Sequence, residues 1–120
     1  MQLNLYMTEL TVERLDVSLR WYRDLLGLTV ERLDEANGFV LLSTPTGRLA
    51  LRVGQPHPEG VGLVFEVADI DQTMRELQVR GLVPKKQAVS VEEGYERAVY
   101  HDPSGYRITF FAWTSPKSRK

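Results

Sequence analysis

The stretch LDVSLRWYRDLLGLTV, residues 15–30, decides the prediction of the fold. Apolar side chains recur there at the spacing of a helix that buries one face: Leu15, Leu19, Tyr22 and Leu26. Gly27 follows the last of them, where a glycine can adopt the left-handed conformation that ends a helix. The β-prone residues 28–30 then predict a strand, so the order is helix, glycine, strand.

The second half of the chain repeats this order. Asp69-x-x-Gln72 resembles a capping box, and the residues after Asp69 that recur at helical spacing are Ile70, Met74 and Leu77. Gly81 ends this helix before Leu82 and Val83, and it lies 54 residues after Gly27 in a chain of 120. Each half of the chain is therefore one copy of a module.

Strand signals repeat in the same way. In each half an opening strand precedes the helix, and two strands joined by a turn that contains Pro and Gly follow it. The predicted opening strands are Leu3–Val12 and Val61–Val67, and the predicted hairpins join 39–42 to 49–53 and 97–100 to 107–113. Each module therefore reads β-α-β-β-β.

These signals set the expected organisation of the chain. A length of 120 residues suits a single domain, 1–120, with one core. Residues 54–60 contain two prolines and two glycines and are predicted to link module one, 1–53, to module two, 61–113. A polar tail follows over 114–120, and we expect it to fray.

Composition excludes several classes of function. The formal net charge is -1, which disfavours nucleic acid and anionic membranes as partners. The chain has no cysteine, so it has no disulfide, no thiolate metal site and no cysteine nucleophile. The first residues show no basic segment followed by an apolar one, and a cytoplasmic protein is expected.

Three segments carry a resemblance to a known family. Ser18-x-x-Trp21-Tyr22-Arg23-Asp24-Leu25-Leu26-Gly27-Leu28, Val67-Ala68-Asp69-Ile70-Asp71 and Asp102-Pro103-Ser104-Gly105-Tyr106-Arg107-Ile108 resemble, in this order, motifs of the vicinal oxygen chelate superfamily. That superfamily includes glyoxalase I, bleomycin-resistance proteins and extradiol dioxygenases. The resemblance implies an α+β fold in which two tandem βαβββ modules form a curled, cup-like mixed sheet with the helices outside. It also implies a homodimer.

The resemblance places four positions where relatives hold a divalent metal ion. Carried onto this chain, they fall at Met7, Arg52, Gly62 and Thr109. None is a His, Asp or Glu, and a metal that acts as a Lewis acid needs several imidazole or carboxylate donors. We therefore expect no metal cofactor; the alternative is a divalent ion on displaced ligands.

Strand alternation predicts what lines the cup instead. The expected ligand-binding residues are Met7, Glu9, Arg52, Glu66, Thr109, Phe111 and Trp113. Arg52 is expected either to clamp an anionic group of a ligand or to form an ion pair with Glu9 or Glu66. The aromatic pair Phe111 and Trp113 either stacks on a planar ligand or fills the cup or a dimer contact.

The two histidines are the remaining candidate functional residues. His57 stands between two prolines in the linker, and His101 precedes the second turn. A displaced metal set of His101, Glu66 and Glu9 requires His101 to face inward. No nucleophile signature is present, so no catalytic residue is predicted.

Together these observations predict metal-independent binding or sequestration of a small organic molecule. Bleomycin itself is a poor candidate, because a cationic ligand favours an acidic groove and this chain is nearly neutral. The alternative is a divalent-metal-dependent lyase or dioxygenase with displaced ligands. A third interpretation is an interaction module whose cup is filled by its own side chains.

Overall fold

A computed structural model of the chain describes residues 1–90 and 92–114. The chain divides into two units, Met1–His57 and Pro58–Lys120, and each contains one four-stranded mixed sheet. The elements of the first unit are β1 (Thr8–Val12), α1 (Leu15–Arg20), a π-helical turn (Trp21–Leu25), β2 (Thr29–Asp34), a 3-10 turn (Glu35–Asn37), β3 (Phe39–Thr44) and β4 (Gly47–Val53). Those of the second are β5 (Gly62–Glu66), α2 (Ile70–Val79), β6 (Lys86–Ser90), β7 (Tyr95–His101) and β8 (Arg107–Trp113).

The two sheets have the same topology. The strand order is β1-β4-β3-β2 in the first and β5-β8-β7-β6 in the second, and in both the opening strand runs parallel to the last strand of its module. The other pairs are antiparallel. The α+β class and the tandem βαβββ modules expected from the sequence are confirmed.

A helix covers one face of each sheet. Alternate strand residues point toward it, so apolar side chains at every second position form the core. In the first unit α1 packs on β3 and β4 over Leu10, Val12, Val40, Leu42, Leu49 and Leu51. In the second α2 packs on β7 and β8 over Ala98, Tyr100, Ile108, Phe110 and Ala112.

The helix predicted over residues 15–26 is α-helical only in its first half. After Arg20 it widens into the π-helical turn, in which the Leu26 amide donates to the Trp21 carbonyl at 3.1 Å. Gly27 then has a φ of +81°, as its place after the helix predicts. The wider turn buries both Trp21 and Tyr22, whose rings meet edge to face at 4.9 Å. Both residues therefore pack in the core.

Two strand predictions are wrong in extent. The strand expected over 3–12 forms only over Thr8–Val12. In the register of this parallel pair Gly47, the first residue of β4, lies level with Tyr6, so β4 offers no neighbour to residues 1–5. The strand expected directly after Gly81 begins only at Lys86. The Leu82 amide instead bonds back to the Leu77 carbonyl of α2, and Pro84 has no amide hydrogen to donate to a sheet.

The apolar face of β4 is not buried along its whole length. Val53 shares this face with Leu49 and Leu51, yet it is 47% exposed. It is the last residue of its strand, and its side chain lies beside Gly38, where an added Cβ would approach it to 3.0 Å. The polar tail predicted over 114–120 lies outside the described residues except for Thr114, whose amide bonds to the Gly94 carbonyl.

Candidate functional site

The face of the second sheet that α2 does not cover carries the candidate site, and we call it the open face. Residues paired across strands share a face, so the register assigns its side chains. The open face carries Gly62, Val64 and Glu66 on β5, Lys86, Ala88 and Ser90 on β6, Tyr95, Arg97, Val99 and His101 on β7, and Arg107, Thr109, Phe111 and Trp113 on β8.

A pocket of about 980 Å³ lies on this face. Its walls come from all four strands and from the turn between β6 and β7. It is lined by Val64, Lys86, Glu92, Glu93, Tyr95, Arg97, Val99, Arg107, Thr109, Phe111 and Trp113. The volume is in the range of pockets that take a small organic molecule.

One end of the pocket is aromatic. The Phe111 ring lies 5.3 Å from the Trp113 ring and 6.5 Å from the Tyr95 ring, and both pairs are edge to face. Phe111 and Trp113 are only half-buried. These three rings therefore leave aromatic surface available to a ligand.

Three cationic side chains also line the pocket, together with two carboxylates. Within residues 1–90 and 92–114, no ion pair involves Lys86, Arg97 or Arg107. The Arg97 Nε atom is buried, and it has no hydrogen-bond partner among those residues. A buried donor without an acceptor is costly, so this atom favours an acceptor supplied by a bound molecule.

The metal positions implied by the resemblance do not fit a metal ion. A Cβ built on Gly62 would lie 2.9 Å from Nε and 3.0 Å from Cζ of Arg107. The Arg107 guanidinium therefore fills the space that a metal-coordinating side chain at position 62 would need. Arg52 is engaged with a carboxylate, and Thr109 offers one hydroxyl. Among the described residues no three His, Asp or Glu side chains form a group that could hold a metal, and this includes the set of His101, Glu66 and Glu9.

The first unit places Glu9 and Arg52 in contact. Arg52 Nε donates to Glu9 Oε1 at 2.9 Å, and the guanidinium lies 4.6 Å from the centre of the Phe39 ring. Both charged side chains are about half exposed, so this pair contributes little stability. Of the two alternatives for Arg52, the structure shows the ion pair with Glu9; its role as a ligand clamp stays a prediction.

A carboxylate of the first unit is held in its ionised form near this pair. The Asn37 side chain donates to Asp34 at 2.8 Å and lowers the pKa of that carboxyl, with smaller contributions from the Asn37 amide and from the positive charges of Arg32 and Arg52. Asp34 also accepts from the Asn37 amide and so caps the 3-10 turn. The Asp34 carboxylate therefore stabilises the 3-10 turn.

The predicted site residues fall into three groups. Thr109, Phe111 and Trp113 line the pocket. Glu66 lies on the open face opposite Phe111 but outside the pocket lining. Met7, Glu9 and Arg52 belong to the first unit, where Met7 immediately precedes β1.

Sequence reasoning missed most of the pocket, because only three of its eleven lining residues were among the expected ligand-binding residues. Tyr95 and Arg97 lie on β7 directly opposite Trp113 and Phe111, and Lys86 lies on β6 opposite Val99. Alternation along 95–101 would have placed the β7 residues on one face, but only the register joins that face to β8. His101 shares the open face with Arg107, while His57 is an exposed loop residue.

Two βαβββ modules, each with a four-stranded mixed sheet, define a two-module α+β class of protein. A family model, the Glyoxalase/Bleomycin resistance protein/Dioxygenase superfamily, matches residues 4–110, and the chain belongs to this superfamily. No curated protein matches the chain. None of the helices in the described residues is long and apolar enough to cross a membrane.

Solved structures share the fold at low sequence identity. A glyoxalase/bleomycin resistance protein/dioxygenase from Nocardioides is 20% identical with a TM-score of 0.79, covering 97% of this chain and 87% of that one. Lactoylglutathione lyase from Agrobacterium tumefaciens is 16% identical with a TM-score of 0.76, covering 92% and 94%. The fosfomycin resistance protein FosX from Listeria monocytogenes is 11% identical with a TM-score of 0.81, covering 100% of both chains.

Proposed function

We propose that this protein binds a small planar organic molecule in the pocket of its second sheet without a metal ion. The observation that carries the proposal is the aromatic end of the pocket, where Tyr95, Phe111 and Trp113 meet edge to face at 5.3 and 6.5 Å. Half-buried rings beside a pocket of about 980 Å³ offer a surface on which a flat molecule can stack.

The donor set supports the absence of a metal from the proposed mechanism. The four positions implied by the resemblance hold the Met7 thioether, the Arg52 guanidinium, the Arg107 guanidinium over Gly62 and the Thr109 hydroxyl. Guanidinium groups repel a divalent cation. Binding then depends on stacking, apolar contact and a few polar groups. Sequestration of the bound molecule follows directly from such a pocket, and no step of bond cleavage is required.

The names of two similar structures agree with a small-molecule role. One is a lactoylglutathione lyase and another a fosfomycin resistance protein, so this fold serves small-molecule chemistry elsewhere. The identity of the bound molecule is a separate question, because folds of this kind host many functions.

The test uses protein dialysed against a chelator and 2-naphthamide as a neutral planar probe. We expect chemical-shift changes at the Trp113 indole and a rise in melting temperature, since a ligand at 100 times its Kd stabilises the folded state by about 2.7 kcal/mol. Phe111→Leu should weaken binding by about tenfold, the loss expected for one aromatic contact.

A matched control is available on the other side of the same sheet. Phe65 is also half-buried, but it points toward the helix and stacks on Phe110 at 5.6 Å. Phe65→Leu should leave the Kd unchanged while lowering stability. Equal effects of the two variants, or no binding at all, would contradict the proposal. Stoichiometric metal in protein purified without chelator would favour the metal-dependent lyase or dioxygenase instead.

A further inference from the structure

We propose that the molecule taken by this pocket carries an oxyanion, a carboxylate or a phosphate, which binds above Thr109 between the side chains of Lys86, Arg97 and Arg107. This inference rests on the proposed function, because it concerns the same pocket. It names the chemical class of the ligand, a planar ring bearing one anionic group, and it assigns the positively charged residues that would recognise that group.

The strand register brings the three cations around one point. Thr109 lies opposite Val99, and Val99 lies opposite Lys86 in the next strand. Arg97 and Arg107 occupy the open-face positions on either side of this row, one toward the aromatic end and one away from it. Neighbouring positions of one face are about 7 Å apart, a distance that an arginine side chain spans.

Among residues 1–90 and 92–114, none of these three positive charges forms an ion pair with a carboxylate. In the first unit the arginines of β4 are paired, Arg48 with Glu31 at 3.0 Å and Arg52 with Glu9 at 2.9 Å. In the second unit, over the residues that the structure describes, Arg97 and Arg107 have no such carboxylate. A guanidinium in a partly desolvated pocket favours an anionic partner, and a bound oxyanion would supply one.

The buried Nε atom of Arg97 points to the same ligand. This N–H has no acceptor among the described residues, and it lies in a side chain that lines the pocket. Water or a neutral ligand group could accept one hydrogen bond there. An oxyanion would accept it together with bonds from Lys86 and the Thr109 hydroxyl, and charge-assisted bonds are stronger than neutral ones.

The distribution of charge along the pocket also orients the ligand. Glu92 and Glu93 lie in the turn between β6 and β7, next to the aromatic end that begins at Tyr95 and Trp113. The carboxylates repel an anion from that end, whereas Arg107 attracts it to the other. The ring is therefore placed over Phe111 and the oxyanion toward Thr109.

Gly62 gives Arg107 its position. A Cβ at residue 62 would overlap the Arg107 guanidinium, which lies directly over the glycine on the neighbouring strand. Because the overlap involves the end of a flexible side chain, Gly62→Ala should displace the guanidinium and leave the strand intact. Gly47→Ala is the matched control, since nothing lies within 4 Å of an added Cβ there.

The experiment compares 2-naphthoate and 2-naphthyl phosphate with the neutral 2-naphthamide, each titrated into the full chain by calorimetry. We expect at least one of the two anions to bind the wild type about tenfold or more tightly than the amide, as charge-assisted hydrogen bonds predict. Arg97→Met and Arg107→Met should each reduce the ratio of anion affinity to amide affinity about tenfold while retaining affinity for the amide. Gly62→Ala should reduce it in the same direction.

The controls separate this inference from the proposed function. Gly47→Ala should leave the ratio unchanged, as should Arg75→Met, which removes a positive charge from α2 on the covered side of the sheet. Retained binding of the amide shows that each variant is folded. Equal affinity for anions and amide in the wild type would overturn the oxyanion site and leave the proposed function standing. Failure of every probe to bind would overturn both, and a ratio unchanged in Arg107→Met would remove Arg107 from the site.

Discussion

Replacing Tyr100 by Phe should stabilise this protein. Tyr100 lies on β7 with its side chain in the core under α2, and it is only 2% exposed. Its hydroxyl is buried, and no hydrogen-bond partner for it exists among residues 1–90 and 92–114. The ring contacts Phe110 edge to face at 5.5 Å, a contact that phenylalanine preserves.

The size of the effect follows from the cost of an unsatisfied buried hydroxyl. Such a group lowers stability by about 1–3 kcal/mol, and removal of the oxygen recovers part of it. Because the replacement leaves a small void, we expect a gain of about 1 kcal/mol in the free energy of unfolding. For a chain of this length that corresponds to about 3–6 °C in melting temperature.

The same residue predicts a dependence on pH. Burial raises the pKa of the Tyr100 phenol above its usual value of 10.0, because it disfavours the phenolate. The unfolded chain therefore loses this proton at a lower pH than the folded one. The contribution that the neutral Tyr100 phenol makes to the free energy of unfolding is fully present below about pH 10. It is lost as the pH rises through the pKa of Tyr100 in the folded state. Tyr100→Phe lacks this loss, so its advantage over the wild type should grow above pH 10.

Urea unfolding at pH 7 and at pH 10.5 measures both effects. Tyr22→Phe is the control, because Tyr22 is also fully buried and its hydroxyl is not among the unsatisfied buried atoms of the described residues. We expect no stabilisation from that variant. If Tyr100→Phe lowered the free energy of unfolding at pH 7, the hydroxyl would have a hydrogen-bond partner and the reasoning would be refuted.

Substitutions at three further positions test other parts of the structure by urea unfolding or ligand-induced melting shifts. Asp102→Ala should cost about 2–3 kcal/mol, because it leaves the amides of Ser104 and Tyr106, bonded to Asp102 at 3.0 and 2.8 Å, without an acceptor; a cost under half of this would contradict the turn's role. Asp69→Ala should cost about 1 kcal/mol by removing the cap of α2, and Asp69→Asn should restore most of it. Arg52→Met should leave the melting shift produced by 2-naphthoate unchanged, because Arg52 is paired with Glu9 and does not line the pocket; a lost shift would show that Arg52 clamps the ligand.

Features that depend on local chain chemistry were predictable. Asp69 accepts from the Gln72 amide as the capping motif indicates, although the Gln72 side chain turns to Glu76 and does not complete a capping box. Gly81 adopts a φ of +90° after its helix. Each depends on residues a few positions apart, so a short window of sequence contains the physical cause.

Strand boundaries were less predictable, because a strand needs a partner. Residues 3–5 alternate like a strand, but in the register of β1 with β4 they lie beyond the first residue of β4, so that strand offers them no partner. Leu82 follows Gly81 as Leu28 follows Gly27, yet Pro84 delays the strand until Lys86. These outcomes depend on neighbours that are distant in the chain or on one missing donor.

In the pocket, the shared face of the β8 residues was predictable from the sequence, whereas the positions of the positively charged residues were not. Alternation along 107–113 was enough to predict that Thr109, Phe111 and Trp113 share one face, because period-two geometry is a property of a single strand. That Arg97 lies beside Phe111, and that Arg107 lies over Gly62 forty-five residues earlier, was decided by the pairing of separate strands. Pairing is selected by the burial of the whole apolar face beneath α2, and only the tertiary structure brings those residues together.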